Sequence, residues 1–298
     1  MLYDTLWGSA FGFVVPGLLL VALATGKAPW TILVNTWKRL INSPHLVAIV
    51  GLMAMVLMVN KLELSIENNL LQNVVTWDYT PLVHQLEGNL TALIQSYSTK
   101  AVTSLLTFMY VFIFPALIWG SFLVYNQNGE DNMIKRLFYG FILNYIIAIP
   151  FYLFVPVNEA WYFSTQVQPL ISQVYHDYDT KYRLLSGLNN CFPSLHTSIS
   201  LTMALLARES KSRRWWYIAI TCAATIVFST LYLGIHWITD VIGGVVLAVT
   251  IVNLSRFLVE NDYRWTFLWP NLARFRVLAA KRVVVAYLRK NPFMSSFF

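Results

Sequence analysis

Six stretches of this chain carry few or no charges: Leu6–Thr25, His45–Asn60, Val102–Tyr125, Leu137–Val155, Trp215–Leu233 and Trp237–Leu258. Most approach the roughly 20 residues that a helix needs to cross a bilayer core. A backbone in hydrocarbon has no water to bond, so each spanning stretch must pair its N–H and C=O groups within protein, as a helix or a closed barrel does. The alternation of barrel strands is absent, so these stretches are expected to be helices. A soluble fold is excluded by composition: hydrophobic residues make up 57% of the 298 positions and charged residues 12%, against roughly 45–50% and 25% in soluble domains. A seventh apolar run, Pro193–Ala207, covers only about 22 Å as a helix at ~1.5 Å per residue. The expected fold class is an all-α integral membrane bundle of six to seven transmembrane helices.

Charge then orients the bundle. With seven runs spanning and the N-terminus outside, the inner segments hold 17 of the 21 Lys and Arg residues, leaving Lys61, Lys100, Lys181 and Arg183 outside. Such a bias marks the inner side, and the C-terminus with it, as cytoplasmic. Met1–Trp7 lacks the positive region of a secretory signal, so Leu6–Thr25 is expected to be a retained anchor. Three parts follow: 1–100, N-terminal helices and an amphipathic outer segment; 101–258, a catalytic membrane core; and 259–298, a basic tail. In that tail Trp265, Phe267, Leu268, Trp269, Phe275, Val277 and Leu278 interleave with Arg274, Arg276, Lys281, Arg282, Arg289 and Lys290. Beside a last membrane helix this pattern favours an interfacial helix on anionic lipid over nucleic-acid binding.

Two outer segments are long enough to matter. In Lys61–Lys100, Leu70, Leu71, Val74 and Val75, then Leu82, Leu86, Leu90 and Ile94 recur at helical spacing, which predicts short amphipathic helices over the bundle. Asn89-Leu90-Thr91 is a glycosylation sequon, of consequence only in a eukaryotic host. The second segment, Pro156–Phe192, leads into the first chemical cluster. Cys191 and Cys222 offer neither a disulfide framework nor metal-ligand spacing, and no metal or cofactor is expected.

The chemistry lies in two clusters. Asn189-Asn190-Cys191-Phe192-Pro193-Ser194-Leu195-His196 opens the short apolar run and reads as a helix start, with Pro193 at the first helical position. Free N–H groups and the positive end of the dipole make such a start an anion site. Ser194 adds a hydroxyl and His196 sits in the first turn. The second cluster, Ser229 to Asp240, crosses the break between two apolar runs and places His236 and Asp240 at i, i+4, predicted to share a face of the last helix. An Asp in a membrane span is functional by default, and here it can hold one ring nitrogen of His236 and leave the other as nucleophile. A salt bridge or half a metal site is the alternative for that pair. The topology brings both clusters to one outer face, which favours catalysis. His45 and His84 lack such neighbours and are expected to be structural or interfacial, while His176 is undecided.

Pro193-Ser194-Leu195-His196 followed by Ser229 and His236-x-x-x-Asp240 resembles the type 2 phosphatidic acid phosphatase superfamily of membrane lipid phosphatases and vanadium haloperoxidases. The Leu of the first motif and Tyr232-Leu233-x-x-His236 look closer to its inositol phosphorylceramide synthase and sphingomyelin synthase-like branch. The resemblance covers about Leu137–Leu258. It implies that His236 attacks phosphorus to form a phosphohistidine, that Asp240 orients it, that His196 protonates the leaving alkoxide, and that Ser194 and Ser229 belong to the substrate-binding motifs.

Two departures stand out. The family's Arg after the Ser of the last motif is Thr230 here, and the family's Lys with Arg-Pro seven residues later is missing. Phosphoryl transfer needs cations to offset charge at the equatorial oxygens, and Lys181 and Arg183 are the expected substitutes. The same gap suits a phosphodiester. The expectation is thus a multi-pass lipid phosphatase, acting on phosphatidate or polyprenyl-type substrates at an extracellular, periplasmic or lumenal face. A headgroup phosphotransferase is the alternative. A transporter using the His/Asp cluster, or a degenerate scaffold, are the rivals from other classes.

Overall fold

The computed structural model describes residues 6–55, 77–181 and 186–261, together with Tyr3 and Met58. Met1–Phe257 forms one compact unit, to which everything below belongs; from Leu258 a second unit begins, of which only the end of the last helix is described. Among the described residues every regular element is helical, and the one β-type pairing is an isolated bridge between Val157 and Asn190. The described helices of six residues or more are α1 (Leu6–Thr25), α2 (Pro29–Asn42), α3 (Pro44–Met55), α4 (Thr80–Glu87), α5 (Leu90–Gln95), α6 (Lys100–Asn128), α7 (Asp131–Phe154), α8 (Leu195–Glu209), α9 (Arg213–Tyr232) and α10 (Ile238–Glu260).

Four of these, α6, α7, α9 and α10, are long and apolar enough to cross a membrane. The pair Ala10–Thr25 and Pro29–Asn42 makes a fifth only if both halves, bent by 90°, count as one span. The count expected from the sequence is therefore larger than the structure supports. The described part of the second apolar run is α3, and Asn60 and Lys61–Thr76 lie outside the described residues. The described residues of α3, Pro44–Met55, cover about 18 Å as a helix. The C-terminal tail beyond Asn261 is also outside them.

Local chemistry explains the element boundaries. Thr99 caps α6 by accepting the Val102 N–H at 3.4 Å, and Ser212 caps α9 by accepting that of Trp215 at 3.2 Å. Gly129, at φ +69°, ends α6 in the left-handed conformation that lets Asp131 open α7 at once. Within α6, Met109–Ile113 is a π turn. Pro115 follows it, and its missing N–H removes the bond that Val111 would otherwise accept, so the ladder is re-spaced there.

From α6 to α10 the chain alternates direction. One end of the bundle gathers the starts of α6, α8 and α10; the other gathers the end of α1, the start of α7 and the end of α8. Lys27 to Gln127, Arg39 to Asp131 and Arg136 to Glu209 tie the latter together. The core between the two ends includes Leu117, Ile134, Leu137, Ile199, Met203, Trp215 and Ile226, all buried. Lipid tails are as apolar as these side chains, so helix association rests on close packing and interhelical hydrogen bonds. Ser198 Oγ donates to Asn144 Oδ1 at 2.6 Å, joining α8 to α7. The outward side chains of α10, among them Ile242, Val245, Val246 and Val249, are exposed and apolar, as a lipid-facing surface requires.

Candidate active site

The last helix begins later than expected. α10 starts at Ile238, so His236 lies in the turn before it and Asp240 in its first turn. The two meet through capping, not through a shared helical face. Asp240 Oδ2 accepts the Trp237 N–H at 2.9 Å and lies 3.2 Å from His236 Nδ1. A carboxylate at the third helical residue that reaches back to the N-cap N–H is one half of a capping box. Holding Nδ1 in this way turns Nε2 outward from the pair. Both residues are buried, and the second carboxylate oxygen, Oδ1, has no hydrogen-bond partner among the described residues.

The turn itself is clamped. Thr230 O accepts from the N–H groups of Ile235 and His236, each at 3.1 Å. Gly234 at φ +80° bends the chain, and a Cβ there would meet Gln168 O at 2.7 Å and Gln95 Nε2 at 2.9 Å. Gln95 Nε2 donates to Gln168 O and Tyr232 O, while Trp161 and Ala160 donate their N–H groups to Gly234 O and Ile235 O. Trp237 Nε1 donates to Asn158 O at 2.9 Å. His236 therefore sits on a turn fixed from three segments distant in the chain.

Glu87 is the residue that sequence reasoning missed. Its carboxylate accepts the N–H groups of Ile238, at 2.8 Å, and Thr239. With Asp240 on Trp237, three of the unpaired donors at the start of α10 are thus taken by carboxylates, one of them from a helix about 150 positions earlier. No local pattern around Glu87 announces this partner. His84, one turn earlier on α4, packs its ring 5.6 Å from that of Trp237.

The first cluster also differs by a small shift. Pro193 lies outside the helix, after a cis peptide bond from Phe192, and Ser194 is the N-cap of α8. Ser194 Oγ accepts the Thr197 N–H at 3.3 Å, a role that serine fills better than proline's fixed ring could. Its proton remains available to a further acceptor. The Ser194 N–H donates to Asp240 O at 3.1 Å, which joins the two clusters directly. Gly243 and Gly244 permit this approach: a Cβ at Gly244 would lie 2.7 Å from Ser194 O, and one at Gly243 2.7 Å from the Phe192 ring. His196 is sandwiched between Tyr110, at 4.0 Å between ring centroids and 14° between planes, and Phe114 at 4.2 Å. Tyr110 belongs to the π turn of α6, so the re-spaced ladder sets the ring that backs His196.

Ser229 is buried on α9 and donates to Ile226 O at 2.6 Å, while Thr230 Oγ1 donates to Val227 O, so both hydroxyl protons are spent on their own helix. The Lys181 side chain and Arg183 lie outside the described residues. Among the described residues no Lys or Arg side chain bonds to either cluster. One group there has metal-ligand proximity: donor atoms of Cys191, His236 and Asp240 lie within 4.8 Å of one another.

The structure is thus a helical bundle with span-length apolar helices, a buried histidine held by a carboxylate before α10 and a second histidine in the first turn of α8. The profile of the PAP2 superfamily matches residues 82–254, more than half of the chain, and the chain belongs to that superfamily. Membership carries phosphatase- or phosphotransferase-type chemistry at a membrane as its usual activity. An uncharacterized protein of Methanocaldococcus jannaschii is 41% identical over 64 residues, 22% of this chain and 26% of its own length. The chain thus matches about a quarter of that relative. No solved structure matches the chain.

Proposed function

We propose that this protein is a lipid phosphatase working through a phosphohistidine, with the lipid phosphate entering laterally from the bilayer. The carrying observation is the 3.2 Å contact between His236 Nδ1 and Asp240 Oδ2, which orients Nε2 as the nucleophile. Nε2 attacks phosphorus, the bond from phosphorus to the lipid oxygen breaks, and His196 gives the leaving alkoxide a proton. Water then attacks the phosphohistidine, His196 takes back a proton, and inorganic phosphate leaves. Ser194, with Lys181 and Arg183 from the outer loop, supplies donors to the phosphoryl oxygens. In this reading the chain crosses the membrane six to seven times, with α8 included, and the site faces the extracytoplasmic side.

Headgroup transfer is the second reading, and Thr230 and Glu87 favour it. Thr230 removes the family's cation, and Glu87 sets a carboxylate at the start of the helix beside His236. Both suit a phosphodiester, which carries less charge than a phosphomonoester. An alcohol would then replace water as acceptor.

The test compares wild type with His236→Ala, both purified in detergent, on phosphatidate, a polyprenyl diphosphate and phospholipid diesters. Release of phosphate or headgroup that survives a chelator and vanishes in His236→Ala is expected. Release that persists in the variant would overturn the site. Loss of wild-type activity on chelation would instead place a metal on Cys191, His236 and Asp240.

A further inference from the structure

The bundle end opposite the histidines carries a second built feature. There α1 turns through 90° into α2, with Gly26 at φ +67° in the corner. On α2, Trp30, Leu33, Val34, Trp37 and Ile41 are exposed, at the spacing of one helical face, whereas Ile32 and Thr36 are buried. Thr36 Oγ1 accepts from Asn126 Nδ2 and Gln127 Nε2, both at 3.2 Å, which docks α2 on the end of α6. A helix set at a right angle to a spanning one, with two exposed tryptophans and cations on its flank, has the make-up of an interfacial helix.

Between that flank and α6 lies a cavity of about 340 Å³, lined by Lys27, Asn35, Lys38, Arg39, Asn126 and Gln127 among others. Among the described residues, three cations line it and no carboxylate does. Two of them are held in place: Lys27 Nζ donates to Gln127 Oε1 at 3.1 Å, and Arg39 Nη1 to Asn126 O at 2.7 Å. Asp131, itself largely exposed, pairs with the other amino group of Arg39 from outside the cavity lining. The Lys38 ammonium has no partner among the described residues. The cavity thus offers fixed donors and a free positive charge, beside the helix that carries the exposed tryptophans.

We propose that this cavity binds the phosphate of an anionic phospholipid in the surrounding leaflet, with the acyl chains entering the bilayer beside α2. Charge complementarity and the adjoining exposed apolar face commit the site to a lipid: a soluble anion would leave the tryptophan face unexplained. The inference does not depend on the reaction at His236.

The full chain, in an uncharged detergent, would be titrated with phosphatidylglycerol, phosphatidylcholine and inorganic phosphate, reading lipid adducts by native mass spectrometry and the melting temperature. Phosphatidylglycerol is expected to bind and stabilise, and the other two to do neither. Lys38→Gln breaks no bond within the described protein, so it should fold normally and weaken phosphatidylglycerol binding about five-fold; Lys27→Gln with Lys38→Gln should weaken it about 25-fold. Equal binding of phosphatidylcholine, or equal stabilisation by inorganic phosphate, would overturn the proposal. So would unchanged phosphatidylglycerol binding in both Lys variants together with its loss in Lys281→Gln with Arg282→Gln, which would move the lipid to the tail.

Discussion

Asp240 serves two partners with one oxygen, accepting the Trp237 N–H that starts α10 and facing the Nδ1 of His236. The orientation of His236, the proposed nucleophile, is thereby coupled to the formation of the helix behind it. Glu87 extends the coupling, since it takes the next two N–H groups of the same helix start from a separate helix, α4. Its charge assists those bonds, which makes each stronger than a neutral one. Glu87→Ala should leave two donors unpaired, cost about 1–2 kcal/mol of stability and lower kcat about ten-fold, with KM changed less. Glu87→Gln, which keeps an acceptor in place, should retain most of the activity. Steady-state kinetics with the KM and kcat effects separated would check this, and equal kinetics in wild type and Glu87→Ala would refute it.

Among elements, the contact of α8 with α10 decides the geometry between the histidines. Gly244 lies so close to Ser194 O that an added Cβ would come within 2.7 Å of a backbone atom, and within 2.8 Å of Thr197 Cβ. Neither neighbour is the end of a flexible side chain, so α8 must move. Gly244→Ala should therefore shift Ser194 and His196 away from His236, lowering activity by up to about a hundred-fold and stability by about 1–3 kcal/mol. Gly51→Ala, where nothing lies within 4 Å, is the control that should change neither. Parallel activity and melting measurements would show it, and a Gly244→Ala enzyme with normal activity would remove the packing from the account. How far this element pair was legible in the sequence follows from the range of its interactions. The apolar periods, the Ser194 and His196 helix start and the His236–Asp240 pair are local patterns, and where the residues are described they form helices or helix starts, with His236 in the turn before α10. The capping role of Glu87, the π turn that sets Tyr110 on His196, and the 90° corner before α2 depend on partners distant in the chain or on a broken hydrogen-bond ladder. Hydropathy counts the apolar residues of α1 and α3 toward spans, yet it carries no information on the 90° corner that joins α1 to α2.

Across the molecule the two ends differ in chemistry. The histidine end is held by backbone turns and by carboxylates on a helix start, whereas the opposite end is held by cations on carboxylates and amides. Its central strut is Glu209, the last residue of α8 and beyond the apolar run that closes at Ala207. It accepts from Arg136 of α7 at 2.6 Å and from Arg256 of α10, so three helices meet on one carboxylate. Burial alone would push that carboxyl upward, but the bonds and charges of Arg136 and Arg256 outweigh it and hold it below its ordinary value of 4.5. A carboxyl whose folded value is depressed adds stability in full above its unfolded value, and that stability drains as pH falls through the folded value. Arg136 is buried, with its Nε and Nη2 unbonded among the described residues, so losing Glu209 leaves a cation with little else to offset it. Because Glu209 is part-exposed, the effect is moderate. Glu209→Gln should melt roughly 2–4 °C below wild type at neutral pH. That gap should narrow as pH is lowered past 4.5, because the wild-type carboxyl then becomes neutral like the amide. Melting curves of both proteins from pH 7 to about pH 3 in one detergent would test the sign. A gap that stays constant over that range would show that Glu209 acts through packing and not through its charge.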